Sequence, residues 1–189
     1  METNNKTLAS LPPKKRGCLI AFVITTFALL ILAIIIPSGN KTDETTLYIS
    51  GLDPVTVYLN LQEKGFNVEK DYSSTDGNLW TCKYSAEGLD YIVTIYSPKA
   101  VDKAQSVRLS IITSPYSSIS NGKQVARYIA TIPYDTADIE KAKQFVESNY
   151  DNDNSSIIIG DAKFTVHAPT QFVRMIDIQK VAPQNESGE

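Results

Sequence analysis

The chain has 189 residues, a formal charge of −3 and only two cysteines. A length of this order suits one folded domain behind a separate N-terminal segment, because roughly 150 residues already bury nearly 70% of their unfolded surface without disulfide or metal. Lys6, Lys14, Lys15 and Arg16 precede the apolar segment against Glu2 alone. Removing those four from the 18 basic residues and the one from the 21 acidic residues leaves about −6 on the remainder. That sign argues against DNA or RNA as the main ligand, since phosphate binding depends on clustered Lys and Arg, though it leaves room for a local basic patch.

From Gly17 to Ile36 the sequence carries no charge and no proline. About 20 residues at roughly 1.5 Å rise span some 30 Å, the hydrocarbon thickness of a bilayer. A cleaved signal peptide has a shorter apolar stretch followed by small residues, whereas this run ends in Ile34-Ile35-Ile36-Pro37-Ser38-Gly39. Lys14, Lys15 and Arg16 abut the run on one side, while only Lys41 stands near the other, so the positive-inside rule puts the N-terminus in the cytoplasm. The expected organisation is a cytoplasmic basic tail (1–16), a transmembrane helix (17–37), a polar stalk (38–46), an extracytoplasmic domain (47–181) and a polar tail (182–189). The protein is thus expected in the cell membrane as a single-pass chain, with the lipid bilayer as a partner. Cys18 opens the apolar run and Cys82 lies far along the chain, so the two fall in different compartments and no disulfide joins them. Cys18 opens the apolar stretch where a lipoprotein cysteine would follow it, and it reads as a small apolar residue rather than a palmitoylation site.

Asp53-Pro54 starts a first helix, with Asp as N-cap and Pro where its missing N–H is harmless. The helix should run to Lys64 and stop at Gly65. Apolar-rich runs follow at Phe66–Tyr72, Leu79–Ser85, Asp90–Tyr96 and Val107–Ile111, separated by turn residues, which predicts an antiparallel meander. Alternation places Trp80, Cys82 and Tyr84 on one face, with Cys82 as a buried thiol. A second helix is expected from Asn121-Gly122 through Ile132, ended by Pro133. A third should be capped by Asp135 or Thr136 and use Ile139, Ala142, Phe145, Val146 and Tyr150 as its inner face. Ser156–Ile159, Gly160-Asp161, Ala162–His167, a Pro-containing turn and Phe172–Gln179 then read as three strands with one tight hairpin. Helix, four strands, two helices and three strands lack βαβ alternation, so the class is α+β: antiparallel sheet with about three helices packed on it.

Chemistry-bearing motifs are sparse. His167 is the only histidine; beside Ala168-Pro169 it reads as a turn residue facing water, and a lone His without Cys partners makes no zinc site. Asp151-Asn152-Asp153-Asn154-Ser155 opens like a calcium loop, yet the sixth and twelfth places hold Ser156 and Ala162 instead of Gly and Glu. These residues then serve to stop the helix. No phosphate loop, nucleophile elbow or Ser-x-x-Lys motif is present. No catalytic residue, metal ligand or cofactor is therefore assigned. Asn40, Asn154 and Asn185 head glycosylation sequons in expected loops.

Ten tyrosines are the distinctive feature. Tyrosine offers rigid area with a polar tip, so Tyr84, Tyr91 and Tyr96 on the meander form a candidate binding surface; the competing reading is that they are ordinary strand residues. The expected function is a membrane-anchored binding or interaction module rather than an enzyme, with a protein partner in or near the membrane. The alternatives are an accessory subunit of a membrane complex and an envelope hydrolase built on nonlocal residues such as His167.

Overall fold

A computed structural model describes residues 47–74, 77–99 and 102–182. The basic tail with Lys14, Lys15 and Arg16, the apolar run, the stalk, Cys18, the sequons at Asn40 and Asn185 and the tail beyond residue 182 lie outside the described residues. None of the described helices is long and apolar enough to cross a membrane.

Helix α1 (Pro54–Glu63) begins as its sequence dictates. The Asp53 carboxylate accepts from the amides of Val55 and Thr56 at 3.0 and 3.3 Å and from the Thr56 hydroxyl at 2.7 Å, satisfying donors that a first turn leaves unpaired. At the other end Gly65 takes φ +90°, and the Phe66 amide folds back onto the Leu61 carbonyl at 3.1 Å.

The meander follows as β1 (Asn67–Ser74), β2 (Gly77–Ala86), β3 (Leu89–Pro98) and β4 (Ser106–Thr113). A 3₁₀ turn at Ile119–Gly122 leads into α2 (Lys123–Ala130), and α3 (Ile139–Asn149) precedes β5 (Ser155–Ile159), β6 (Ala162–Thr170) and β7 (Val173–Lys180). All seven strands form one antiparallel sheet in the order β1-β2-β3-β4-β7-β6-β5. The last strand thus sits in the interior of the sheet, joining the first meander to the second. The α+β class with three helices is what the element order predicts.

Register fixes one face as the core. Cys82, Val93, Leu109 and Ile176 lie side by side across β2, β3, β4 and β7, and each is fully buried. The helices pack on this face: Tyr58 of α1 stacks on Trp80 at 6.1 Å, while Leu61, Ile129 and Val146 bury their side chains in the same cluster. Gly122 must be small here, because an added Cβ would stand 2.6 Å from Tyr150 Oη and 2.8 Å from Ile111. Among the described residues no helix covers the opposite face.

Two helix boundaries and one strand differ from expectation. The second helix stops at Ala130 and Ile132 leaves it, although Ile132 stays buried. The third is capped by Asp138, which accepts from the Lys141 amide at 3.0 Å. Asp135 and Thr136 are occupied elsewhere: the Asp135 amide donates to the Ser50 carbonyl at 2.9 Å and the Thr136 hydroxyl to Asp161 at 2.8 Å. Strand β6 continues through Pro169 to Thr170, its register to β7 becoming irregular after His167 because proline has no N–H to give the ladder. His167 is consequently a strand residue and not a turn residue facing water.

Candidate functional site

The tyrosines Tyr84, Tyr91 and Tyr96 do not share a surface. Tyr84 and Tyr91 are cross-strand partners on the helix-covered face, their rings 5.9 Å apart, with Phe66 5.3 Å from Tyr84. Tyr91 is buried, and burial, followed by the charge of Glu87 and by Tyr84, pushes its phenol upward from its ordinary value. Tyr96 lies five residues beyond Tyr91 on the same strand, which puts it on the opposite face. Tyr134 and Tyr150 are core residues too; they donate to the carbonyls of Ile159 and Ile119, each at 2.8 Å, and burial raises the Tyr134 phenol to about 12.

Among the described residues the exposed aromatics lie at one end of the sheet. Tyr116 is 97% exposed and Phe172 40%. Tyr116 follows Pro115 at the centre of a turn closed by the Ser117 amide on the Ser114 carbonyl at 3.2 Å, and Pro at that position presets the turn's φ. The turn is braced from three sides. Thr113 Oγ1 donates to the Ser117 carbonyl at 3.0 Å, the Ser114 amide to the Gly88 carbonyl at 3.2 Å, and Gly88, at φ +75°, lets the β2–β3 hairpin press against Ser117. The Thr113 amide also donates to the Phe172 carbonyl at 3.0 Å, tying this turn to the tip of the β6–β7 hairpin. Neither Thr113–Gly122 nor Ala168–Val173 contains a charged residue. The sequence carries this signal as Ser-Pro-Tyr-Ser-Ser, an uncharged turn with an aromatic at its apex.

A second constellation occupies the sheet face that no described helix covers. Arg108 of β4 and Asp177 of β7 are register partners forming a two-pronged ion pair, Nε to Oδ1 and Nη2 to Oδ2, the latter at 2.9 Å. His167 Nε2 approaches the same carboxylate at 3.3 Å and its Nδ1 lies 3.1 Å from Asn154 Oδ1. Burial alone would raise the Asp177 carboxyl, but hydrogen bonds from His167 and Arg108 outweigh it and hold the group below its ordinary value. The hydrogen bond to Asp177 in turn raises the His167 imidazole, against an opposing desolvation. Both ring nitrogens face acceptors, an arrangement that holds a proton rather than removing one from a hydroxyl.

The Asp151–Asn154 loop is committed to the fold. Asp151 pairs with the buried Arg174 at 2.8 Å, Asp153 Oδ1 accepts from the Ala168 amide at 2.9 Å, and Asn154 Nδ2 donates to Asp153 at 2.9 Å. Among the described residues no three His, Cys, Asp or Glu side chains converge to hold a metal ion.

A groove of about 370 Å³ opens between α1 and the connection from α2 to α3, floored by Val57, Leu61, Tyr128 and Ile132 and rimmed by Asp53, Asn60 and Asp135. Asp53 is already used as the helix cap there; its hydrogen bond from Thr56, ahead of an opposing desolvation and two backbone amides, keeps its carboxyl low. Neither a protein-family model, nor a curated protein, nor a solved structure matches the chain.

Proposed function

We propose that the chain is a single-pass membrane protein whose extracytoplasmic α+β domain is a binding module, with the turn bearing Tyr116 and the neighbouring Phe172 as its contact end. The observation that carries this reading is the presentation of Tyr116: a large ring left 97% exposed on a turn held by several hydrogen bonds. With the turn's backbone braced, only the two side-chain torsions of the ring remain to be ordered on binding.

The position of the contact end fits an anchored domain. The chain enters at the other end of the sheet, where the Ile49 amide donates to the Ala104 carbonyl at 2.9 Å and the Ser50 amide to Asp161 at 2.9 Å. Strand β4 separates the two ends, and its eight residues span about 26 Å at roughly 3.3 Å each. Tyr116 therefore lies at the end of the domain opposite the one where the chain enters it. The hydrolase alternative gains no support, since the partners of His167 among the described residues are Asn154 and Asp177 and neither is a hydroxyl.

The test uses the full chain in its source cells. Ser118→Cys in a Cys18→Ser background should react with a membrane-impermeant maleimide on intact cells, and Tyr116→p-benzoylphenylalanine should cross-link to envelope material. Labelling only after lysis overturns the topology, and the absence of any cross-link overturns the contact end.

A further inference from the structure

We propose that the Tyr116–Phe172 end binds an uncharged polysaccharide, a ligand class that rests on the binding reading above. A pyranose ring offers one apolar C–H face and a rim of hydroxyls. The loop end offers the complement of both. Tyr116 and Phe172 provide flat apolar surfaces on two adjacent turns tied through Thr113. Around them stand Ser114, Ser117, Ser118, Thr170 and Gln171, whose hydroxyl and amide groups both donate and accept, as sugar hydroxyls require.

Charge narrows the class. The ten residues of Thr113–Gly122 and the six of Ala168–Val173 carry none, and the nearby Glu87 carboxylate already accepts from Asn121 Nδ2 at 3.4 Å. Of the nearest basic groups among the described residues, Arg174 is buried and spent on Asp151 at 2.8 Å and the Thr170 carbonyl at 2.6 Å, and Lys123 begins α2 beyond the turn, so the two turns themselves offer a charged glycan no counter-charge for the hydration it would lose. Composition points the same way. Serine is depleted in protein–protein interfaces, and serine and threonine are scarce among their energetically dominant residues, whereas they supply most of this rim. Shape agrees: Tyr116 stands on the apex of a turn, suited to a polymer laid across the surface and not to a ligand enclosed in a cavity.

The full chain in detergent micelles is applied to an array of immobilised neutral and acidic oligosaccharides. Neutral members should be retained, Tyr116→Ala and Phe172→Ala should each weaken retention at least about tenfold, and Tyr116→Phe should keep it. Because Tyr116 is exposed, Tyr116→Ala should melt within about 2 °C of the parent chain, which separates lost binding from lost folding. Retention of acidic glycans alone, binding unaffected by Tyr116→Ala, or no glycan retained overturns the proposal. If the cross-link at position 116 then captures a protein, the contact end stands and the sugar falls; if it captures nothing, both fall.

Discussion

Asp177 gives the strongest stability prediction. Its carboxylate lies in the sheet interior with 6% of the side chain exposed, taking both prongs of Arg108, itself 14% exposed, and the imidazole of His167. Asp177→Ala removes all three contacts at once and leaves the Arg108 guanidinium largely buried without that acceptor. Breaking a buried pair by removing one member costs about 3–5 kcal/mol, against a total stability of roughly 5–15 kcal/mol for a domain. At a few degrees per kcal/mol for a domain of this size, the melting temperature should fall by roughly 10–20 °C. Urea unfolding of the full chain in detergent, followed by tryptophan fluorescence of the buried Trp80, would show a lower midpoint with the slope unchanged. Arg108→Met combined with Asp177→Leu replaces both charges with apolar volume and should recover most of the loss. A single-variant cost below about 1 kcal/mol, the level of an exposed pair, would refute the assignment of this cluster as a buried linchpin, as would a double variant weaker than the single.

Titration should divide stability between two limbs. The folded-state pKa of His167 is raised, so its contribution is complete below about pH 6.5 and fades as pH rises through the folded value; His167→Gln should flatten that part of the urea-midpoint profile. Asp177 and Asp161 are lowered, so their contributions hold above about pH 4 and are lost as pH falls through their folded values. Cys82 is fully buried and its thiol is pushed up to about 12 by burial, so iodoacetamide at pH 8 should modify it only after denaturation, as read by peptide mass spectrometry. Gly122→Ala should cost about 1–3 kcal/mol by overpacking against Tyr150 and Ile111, despite alanine's better helix propensity, and a lowered urea midpoint would show it.

Local rules carried the fold, and long-range pairing carried what they missed. Asp53-Pro54 and Gly65 bracket α1 by chemistry confined to a few residues, and Gly160 closes the β5–β6 hairpin as its neighbours suggest. Alternation on β2 put Cys82 on one face with Trp80 and Tyr84, and the usual burial of a free thiol placed it correctly inside. The same alternation shows that Tyr91 and Tyr96, five residues apart, belong to opposite faces of one strand, so the tyrosine surface was already excluded by parity. The cap of α3 was ambiguous because Asp135, Thr136 and Asp138 all qualify locally; only the distant partners Ser50 and Asp161 remove the first two. Arg108 and Asp177 stand 69 residues apart, and nothing nearby in sequence announces that their strands are neighbours.

The interior position of β7 also governs how the protein is made. Its residues, 173–180, are the last part of the sheet to leave the ribosome, yet they lie between β4 and β6. Until then the first meander ends in an unpaired β4 edge whose inner residues Val107, Leu109 and Ile111 await Ile178, Ile176 and Arg174. An exposed apolar strand edge is an invitation to pair with another chain. Nascent chains stalled before residue 173 should therefore be the species that aggregate and engage chaperones.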